Sequence, residues 1–158
     1  MIPVETFKAD DYLVVLDDEN EIKRLEPDFS QMHQVDARGT IVTVASSKQG
    51  IDFISRWFGG PDVGINEDPV MGSTHSTLTT YGSETLNKNE LEAIQESERR
   101  GRRSCEYIGD RVQLSGQAVL YFSGEIFVWQ LRERFMVNPT HDSSRRRHCA
   151  WSTLSAFV

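Results

Sequence analysis

Three apolar runs in the first half of the chain have the composition of β-strands. Residues 11–16 (DYLVVL) combine Val and Leu with Tyr, and residues 40–45 (TIVTVA) are rich in β-branched side chains. Residues 51–58 (IDFISRWF) form a third run, which ends at two glycines. Because β-branched and aromatic side chains pack well on a pleated surface, each run predicts a strand.

Two short helices are predicted between the first strand and the second. Ile22 and Leu25 share one face of a helix over residues 19–25. A second helix is expected over residues 27–32, where Asp28 is a suitable N-cap. The first half of the chain therefore mixes short helices with strands.

The second half of the chain alternates turn residues with short apolar runs. Its predicted strands lie at residues 91–95, 104–108, 112–114, 118–122 and 126–129. A longer helix over residues 74–86 precedes them. The whole pattern predicts an α+β fold with many short strands towards its end.

The helix over residues 74–86 has a weak intrinsic tendency to form. Branching at Cβ restricts the side chain of threonine in a helix, and this segment is rich in threonine. Such a helix depends on packing for its stability. Burial inside a sheet that curls around the helix would supply that packing.

Composition limits the class of protein. The 158 residues are 38% hydrophobic and 26% charged, as in an ordinary globular domain. A formal charge of -7 argues against general nucleic-acid binding, which needs excess positive charge. The chain start lacks the features of a signal peptide and no apolar run reaches membrane-spanning length, so we expect a cytoplasmic protein without a membrane partner. Two cysteines do not indicate a disulfide framework.

The stretch from Gly64 to Leu86 concentrates groups that can do chemistry. Asp68 precedes a proline and is biased towards an extended conformation. Gly72 permits close approach to the main chain, and Ser73 is a good N-cap for the helix that follows. The free amides of the first turn and the helix dipole would then bind a carboxylate or phosphate, with His75 nearby.

A structural interpretation of the same residues stays open. An Asp-Pro turn before a helix is a common way to change chain direction. His75 would then be a packed side chain, and Ser73 a cap instead of a nucleophile, because no Gly-x-Ser-x-Gly elbow surrounds it. The spacing of these residues alone does not separate the two interpretations.

Other motifs for cofactors or metals are absent from the sequence. It contains no phosphate-binding loop, no dinucleotide fingerprint and no His-Glu-x-x-His helix. His141, His148 and Cys149 lack a second pair at zinc-ligand spacing, which argues against a metal site. We expect no cofactor and no metal, which is compatible with acid–base chemistry by side chains alone.

Residues 64–78 (GINEDPVMGSTHSTL) resemble the signature of the phenazine-biosynthesis PhzF-like isomerase family, which shares its fold with diaminopimelate epimerase. The upstream run DFISRWF at 52–58 is similar to a family strand. Further matches to the family are Gln95, Ser97, Arg100, Gly101 and the segment RVQLSGQAV with the following Gly124-Glu125. The resemblance covers residues from about 11 to 128, in the order of the family.

The resemblance implies a single lobe of the diaminopimelate epimerase-like fold, with a curved mixed or antiparallel sheet wrapped around a central helix. Residues 1–130 would form this C-terminal lobe, and residues 131–158 would be an atypical tail, either docked or disordered. The segment Arg145–His148 is more typical of a solvated tail than of a nucleic-acid site.

The resemblance also implies an isomerase or epimerase that moves a proton at a carbon of a small carboxylate substrate. Asp68 would orient the substrate or relay the proton, and Gly72 with Ser73 would bind the substrate carboxylate and stabilise developing enolate charge. His75 is a supporting catalytic candidate, and Arg100 a supporting substrate-binding one.

The chain departs from the family in one large respect. All of the matched residues belong to the second lobe, and the first lobe with its Ser-Glu-Thr loop and principal base has no counterpart. Ser83-Glu84-Thr85 spells the same tripeptide, but it lies near the end of the predicted helix. Met71 stands where Thr or Cys is usual. Arg102 stands where a second Gly is usual, which puts a tight turn after Gly101 in doubt.

Three hypotheses follow from this departure. In the first, a homodimer or a complementary first-lobe chain rebuilds the two-lobed isomerase cleft, since a lobe that faces a similar twin suits two-fold pairing. In the second, the chain is a non-catalytic small-anion-binding half-domain. In the third, it is a truncated remnant without the lobe that carries the catalytic glutamate.

Overall fold

The computed structural model describes residues 2–125, and these form one seven-stranded sheet with three helices. The elements in chain order are β1 (Glu5–Lys8), β2 (Asp11–Leu16), α1 (Glu19–Arg24), α2 (Phe29–Met32), β3 (Gly39–Ala45), β4 (Phe53–Gly59), α3 (Gly72–Leu86), β5 (Glu90–Gln95), β6 (Gly101–Ile108) and β7 (Arg111–Ser115). The predicted α+β class is confirmed.

The strands lie in the sheet in the same order as in the sequence. Neighbouring strands are antiparallel except for two parallel pairs, β2 with β3 and β4 with β5. Each parallel pair needs a crossover between its strands. The helices α1 and α2 lie in the first crossover, and the Asp68 loop with α3 lies in the second.

The sheet buries apolar side chains on both faces. Phe53 and Trp57 of β4 pack in one cluster with Leu78 of α3, whereas their neighbours Ile54 and Phe58 pack in a second cluster with Ile22 of α1. Because side chains alternate between the faces of a strand, the two clusters lie on opposite faces. Strand β4 is therefore covered by α3 on one face and by α1 on the other.

The sheet curves around α3, so that both of its edge strands contact this one helix. Tyr81 of α3 packs on Phe7 of β1 with ring centroids 5.7 Å apart, and Leu114 of β7 packs on the same core cluster as Leu78. Seven flat strands would span about 29 Å, whereas a helix with its side chains is about 10 Å wide. The predicted arrangement of a curved sheet around a central helix is confirmed.

The predicted burial of α3 by the sheet explains how a threonine-rich helix is stable. Its buried positions are Thr74, His75, Leu78, Thr79, Gly82 and Ser83. The Thr79 hydroxyl donates to the His75 carbonyl at 2.5 Å, which satisfies it without an outside partner. At the C-terminal end, Asn87 adopts a left-handed conformation and its amide donates to the Ser83 carbonyl.

One predicted strand does not form within the described residues, and one observed strand was not predicted. The apolar run at 118–122 is not a strand: Tyr121 is fully exposed, and among residues 2–125 no strand pairs with this run. An apolar pattern predicts a strand only where a partner completes its hydrogen bonds. Conversely, β1 was not predicted because all four of its residues are exposed and only Phe7 is apolar. It forms because it pairs with β2.

The chain divides into a unit that ends at Gln117 and a second unit that begins at Ala118. The described part of the second unit, residues 118–125, contains neither helix nor strand. The predicted strand at 126–129, the predicted boundary after residue 130 and the tail with His141, Arg145–His148 and Cys149 lie outside the described residues. Those predictions stay predictions.

Within residues 2–125, no helix is long and apolar enough to cross a membrane. In the same range, no three His, Cys, Asp or Glu side chains are grouped so that they could hold a metal ion. Cys105 is buried and free, and burial raises the pKa of its thiol.

Candidate functional site

Gln95, at the end of β5, holds the loop that contains Asp68. Its side chain is fully buried. Its Nε2 donates to the Asp68 carbonyl at 2.5 Å, and its Oε1 accepts a hydrogen bond from the Met71 amide at 2.9 Å. A single side chain therefore fixes both the position of Asp68 and the start of α3.

Two further residues of the same segment shape this loop. The Ser97 hydroxyl donates to the Pro69 carbonyl at 2.7 Å. At Gly101, a Cβ atom would lie 2.6 Å from Val70 Cγ2, so only glycine leaves room for Val70 as it stands. Gln95, Ser97 and Gly101 thus act together to hold residues 68–71 against β5 and β6.

An ion pair holds the loop from its other side. Arg56 of β4 binds the Glu67 carboxylate through Nε at 2.8 Å and Nη2 at 2.9 Å. Its Nη1 donates to the Leu25 carbonyl at 2.6 Å, just past the end of α1. Both side chains are largely buried, so this two-pronged contact ties β4, the loop and α1 into one support.

Asp68 has one engaged and one unengaged carboxylate oxygen. Oδ1 accepts a hydrogen bond from the Val70 amide at 2.8 Å, which closes an Asx turn. Oδ2 has no hydrogen bond to any described residue, and the side chain is half-buried. The first contact orients the carboxylate and leaves the second oxygen available to a ligand.

The start of α3 differs from the prediction. The helix begins at Gly72 with Met71 as its N-cap, and no side chain caps it. Ser73 is therefore the second helical residue, and its predicted role as N-cap is wrong. The hydrogen bonds that Asp68 and Gln95 accept come from the Val70 and Met71 amides, which precede the helix, so they do not pair the helix's own first amides.

The first amides of α3 are open. Among residues 2–125, no hydrogen bond reaches the Gly72 or Ser73 amide. Apart from the helix itself and the chain neighbours, no atom lies within 4 Å of the place where a Cβ of Gly72 would be. Gly72 does not use a left-handed conformation, so the open space is what its lack of a side chain provides. Unpaired amides at the positive end of a helix attract anions.

Arg38, which no motif in the sequence indicates, places a fixed cation beside these amides. Its Nη1 donates to Ser73 Oγ at 3.1 Å. Its Nε donates to Oδ1 of the buried Asp11 at 2.9 Å, and its Nη2 donates to Oδ2 of the same carboxylate. The hydrogen bonds that Arg38 donates to the Asp11 carboxylate raise the pKa of Arg38. The guanidinium is thus held in place and charged.

His75 lies on the buried side of the helix start. It has no exposed surface, and its ring centroid is 6.2 Å from that of Phe53. Its Nδ1 is 2.8 Å from the Met71 carbonyl, which can only accept, so Nδ1 carries the proton. Burial lowers the pKa of His75, and its Nε2 has no hydrogen-bond partner among the described residues. His75 is therefore a neutral side chain in the core behind the open amides.

Arg100 lies at the surface, and no hydrogen bond joins it to Asp68 or Ser73. Its Nη2 pairs with Glu96 Oε1 at 2.9 Å. Arg100 has a φ of 54°, and its backbone amide donates a hydrogen bond to the Ser97 carbonyl. These two features form a turn before Gly101. The turn expected after Gly101 therefore comes before it, and Arg102 continues within β6.

The structure thus brings Asp68, Gly72 and Ser73 together at one helix start, with His75 behind them and Arg100 engaged elsewhere. The tripeptide Ser83-Glu84-Thr85 lies in the last turns of α3, about 18 Å along the helix from Gly72. It belongs to the far end of the helix, as the sequence analysis expected.

Comparison with known proteins places this geometry in a family. The family model PhzC-PhzF, described as phenazine biosynthesis-like protein, matches residues 1–124. A protein of Pseudomonas aeruginosa named as an uncharacterized isomerase is 50% identical over 122 residues, which are 77% of this chain and 46% of that protein. A protein of Halalkalibacterium halodurans with the same description is 48% identical over 118 residues, which are 75% of this chain and 44% of that protein.

Solved structures of PhzF-family proteins have a fold similar to that of this chain. A phenazine biosynthesis PhzF-family protein from Enterococcus faecalis superposes with a TM-score of 0.73 at 38% identity, over 80% of this chain and 48% of its own. A PhzC/PhzF protein from Clostridium difficile gives a TM-score of 0.72 at 36% identity, over 81% and 49%. The chain therefore spans about half the length of the relatives it matches, which fits a single lobe.

Proposed function

Because this chain belongs to the PhzC-PhzF family of phenazine biosynthesis-like proteins, we propose that it forms one half of an isomerase site for a small carboxylate substrate. The reaction is a cofactor-independent transfer of a proton at a carbon next to that carboxylate. The observation that carries the proposal is the open pair of amides at Gly72 and Ser73 beside the unengaged oxygen of Asp68.

The substrate carboxylate docks on the Gly72 and Ser73 amides. The positive end of the α3 dipole and the nearby Arg38 guanidinium favour its negative charge. The same groups stabilise the enolate charge that develops when a proton leaves the adjacent carbon, and they need little rearrangement because Arg38 is already fixed by Asp11.

Asp68 is the proposed group for orienting the substrate or relaying its proton. Its Oδ2 is unengaged, whereas Oδ1 is held by the Val70 amide. His75 has no exposed surface, so we give it a positioning role: its bond to the Met71 carbonyl fixes the first turn of α3. Arg100 stays a proposed substrate contact at the surface.

A second lobe completes the proposed site. It would come from a second copy of this chain or from a separate first-lobe chain, because the matched relatives are about twice as long. The alternative is a non-catalytic small-anion-binding half-domain. What favours it is that this chain covers only 46% of the first relative's length, and that the family resemblance assigns the principal base to the other lobe. The cytoplasmic location and a biosynthetic role stay predictions.

A deuterium wash-in assay tests the proposal. The full chain is incubated in D₂O with small 2-hydroxy and 2-amino acids, and deuterium at the 2-carbon is followed by NMR. Exchange that falls about 10²- to 10⁴-fold in Asp68→Asn supports the relay role. The matched control is Asp62→Asn, which removes an exposed carboxylate from the preceding loop. An exchange rate that is unchanged in Asp68→Asn contradicts the relay role of Asp68. Binding of the acids without any exchange favours the non-catalytic half-domain.

A further inference from the structure

A pocket is formed by β6, the segment just before it and the end of β7, and neither Asp68 nor the open amides of Gly72 and Ser73 line it. It has a volume of about 660 Å³. Its residues are Val70, Arg99, Arg100, Gly101, Arg102, Arg103, Ser104, Ser115, Gly116 and Gln117. Four of these are arginines and none is acidic, in a chain whose formal charge is -7. A volume of this size is typical of pockets for small molecules.

Two of the four arginines have no acidic partner among residues 2–125. Arg100 pairs with Glu96 and Arg102 pairs with Glu92, both at 2.9 Å. No ion pair or hydrogen bond of the Arg99 or Arg103 guanidinium is present in that range. The pocket therefore keeps a positive charge of about two that the described residues do not neutralise.

Arg103 is the more informative of the two. It is only 7% exposed, and its Nε is buried without a hydrogen-bond partner among the described residues. Its Nη1 lies 3.6 Å from the place where a Cβ of Gly116 would be, so the guanidinium reaches the wall of the pocket that Gly116 forms. A buried charge without a partner is costly to the fold, and a bound anion would offset that cost.

We propose that this pocket binds a small multiply charged anion of the phosphate or polycarboxylate class. The planar guanidinium groups of Arg99 and Arg103 bind it, and Ser115, which also lines the pocket, carries a hydroxyl that can donate to an anion. The small volume and the negative charge of the chain favour a compact anion over a nucleic acid. Val70 joins this pocket to the Asp68 loop.

NMR titration of the full ¹⁵N-labelled chain tests the proposal. Inorganic phosphate, citrate and acetate are added separately at equal ionic strength. We expect phosphate or citrate to shift the amide resonances of residues 99–104 and 115–117 saturably. The dissociation constant of the preferred anion should be at least tenfold lower than that of acetate. Saturable shifts with phosphate alone, with citrate alone or with both show whether the pocket prefers a phosphate or a polycarboxylate.

Arg99→Gln and Arg103→Gln are each expected to weaken this binding about tenfold or more. Arg111→Gln is the matched control, because Arg111 is exposed on β7 and does not line the pocket. Arg99 is exposed, so its variant reports even if the Arg103 variant fails to fold. The proposal is overturned if the shifts are absent, are confined to residues 72–74, survive Arg99→Gln, or weaken equally in Arg111→Gln. Because the helix start gives its own shifts, failure here leaves the isomerase site untouched.

Discussion

Single buried polar side chains decide the geometry of the candidate site. Gln95 is the clearest case, since it satisfies the Asp68 carbonyl and the Met71 amide at once. A buried amide that bonds two loop atoms restricts the loop more than an apolar side chain would. The family match identifies the position, but its purpose is visible only when the loop and the end of β5 are seen together.

Gln95→Leu is expected to lower the free energy of unfolding by about 1–3 kcal/mol. The substitution keeps the volume but leaves the Asp68 carbonyl and Met71 amide without their partner. Urea denaturation of the full chain measures the change. Gln113→Leu is the matched control on an exposed position of β7, with an expected change within about 0.5 kcal/mol. Equal effects in the two variants would contradict the assigned role.

His75 should make the stability of the protein depend on pH. Burial lowers its pKa below the ordinary value of about 6.5, so the unfolded chain binds a proton that the folded chain does not. The free energy of unfolding then falls as the pH drops below about 6.5, by at most about 1.4 kcal/mol per pH unit. His75→Gln is expected to lose this slope.

The slope is measured by urea denaturation between pH 5 and pH 7. Glu19, whose pKa is lowered to about 2 mainly by its hydrogen bond from Lys23, contributes a pH dependence only below its ordinary value of about 4.5. His33→Gln controls for the loss of an exposed imidazole. An identical slope in His75→Gln and the unmodified chain would show that His75 is not a buried neutral group.

At the scale of elements, α3 combines a buried body with an open first turn. Local sequence predicted the helix, and the expectation that a sheet surrounds it came from its poor propensity and from the family resemblance. The sequence did not predict that the helix begins at Gly72, because the acceptors for the preceding amides, Asp68 and Gln95, lie in a loop and in another strand.

Gly72→Ala separates stability from binding at this element. Gly72 is helical and its surroundings are open, so alanine is expected to keep the free energy of unfolding or raise it by up to about 1 kcal/mol. The added methyl group lies where a ligand would approach the amides, so binding of small carboxylates should weaken. Ser76→Ala, on the exposed side of the same helix, is the control that should not affect binding. A destabilised Gly72→Ala would mean that the helix start is not open.

At the scale of the whole molecule, the strands were largely predictable and their distant contacts were not. Composition identifies β2 to β7 because each carries enough apolar or β-branched residues to be recognised alone. Arg38, Asp11 and Ser73 come together across separations of 27 and 35 residues, for which the sequence carries no local signal. The site residues were found through the family signature, whereas the cation that supports them required the fold.

Completion of the site by a second copy predicts that the full chain self-associates. Light scattering coupled to size-exclusion chromatography should give twice the mass of the 18.0 kDa chain at micromolar concentration, with a shift towards the monomer on dilution. A strict monomer over this range contradicts the homodimer and leaves a complementary first-lobe chain as the proposed partner.

Binding of a small carboxylate at the start of α3 is measured residue by residue in an NMR titration of the ¹⁵N-labelled full chain with lactate. We predict that the Gly72 and Ser73 amide resonances shift saturably, and that Gly72→Ala weakens this response while Ser76→Ala does not. Resonances of Gly72 and Ser73 that stay unmoved at millimolar lactate, while the protein is folded, would contradict binding at this helix start.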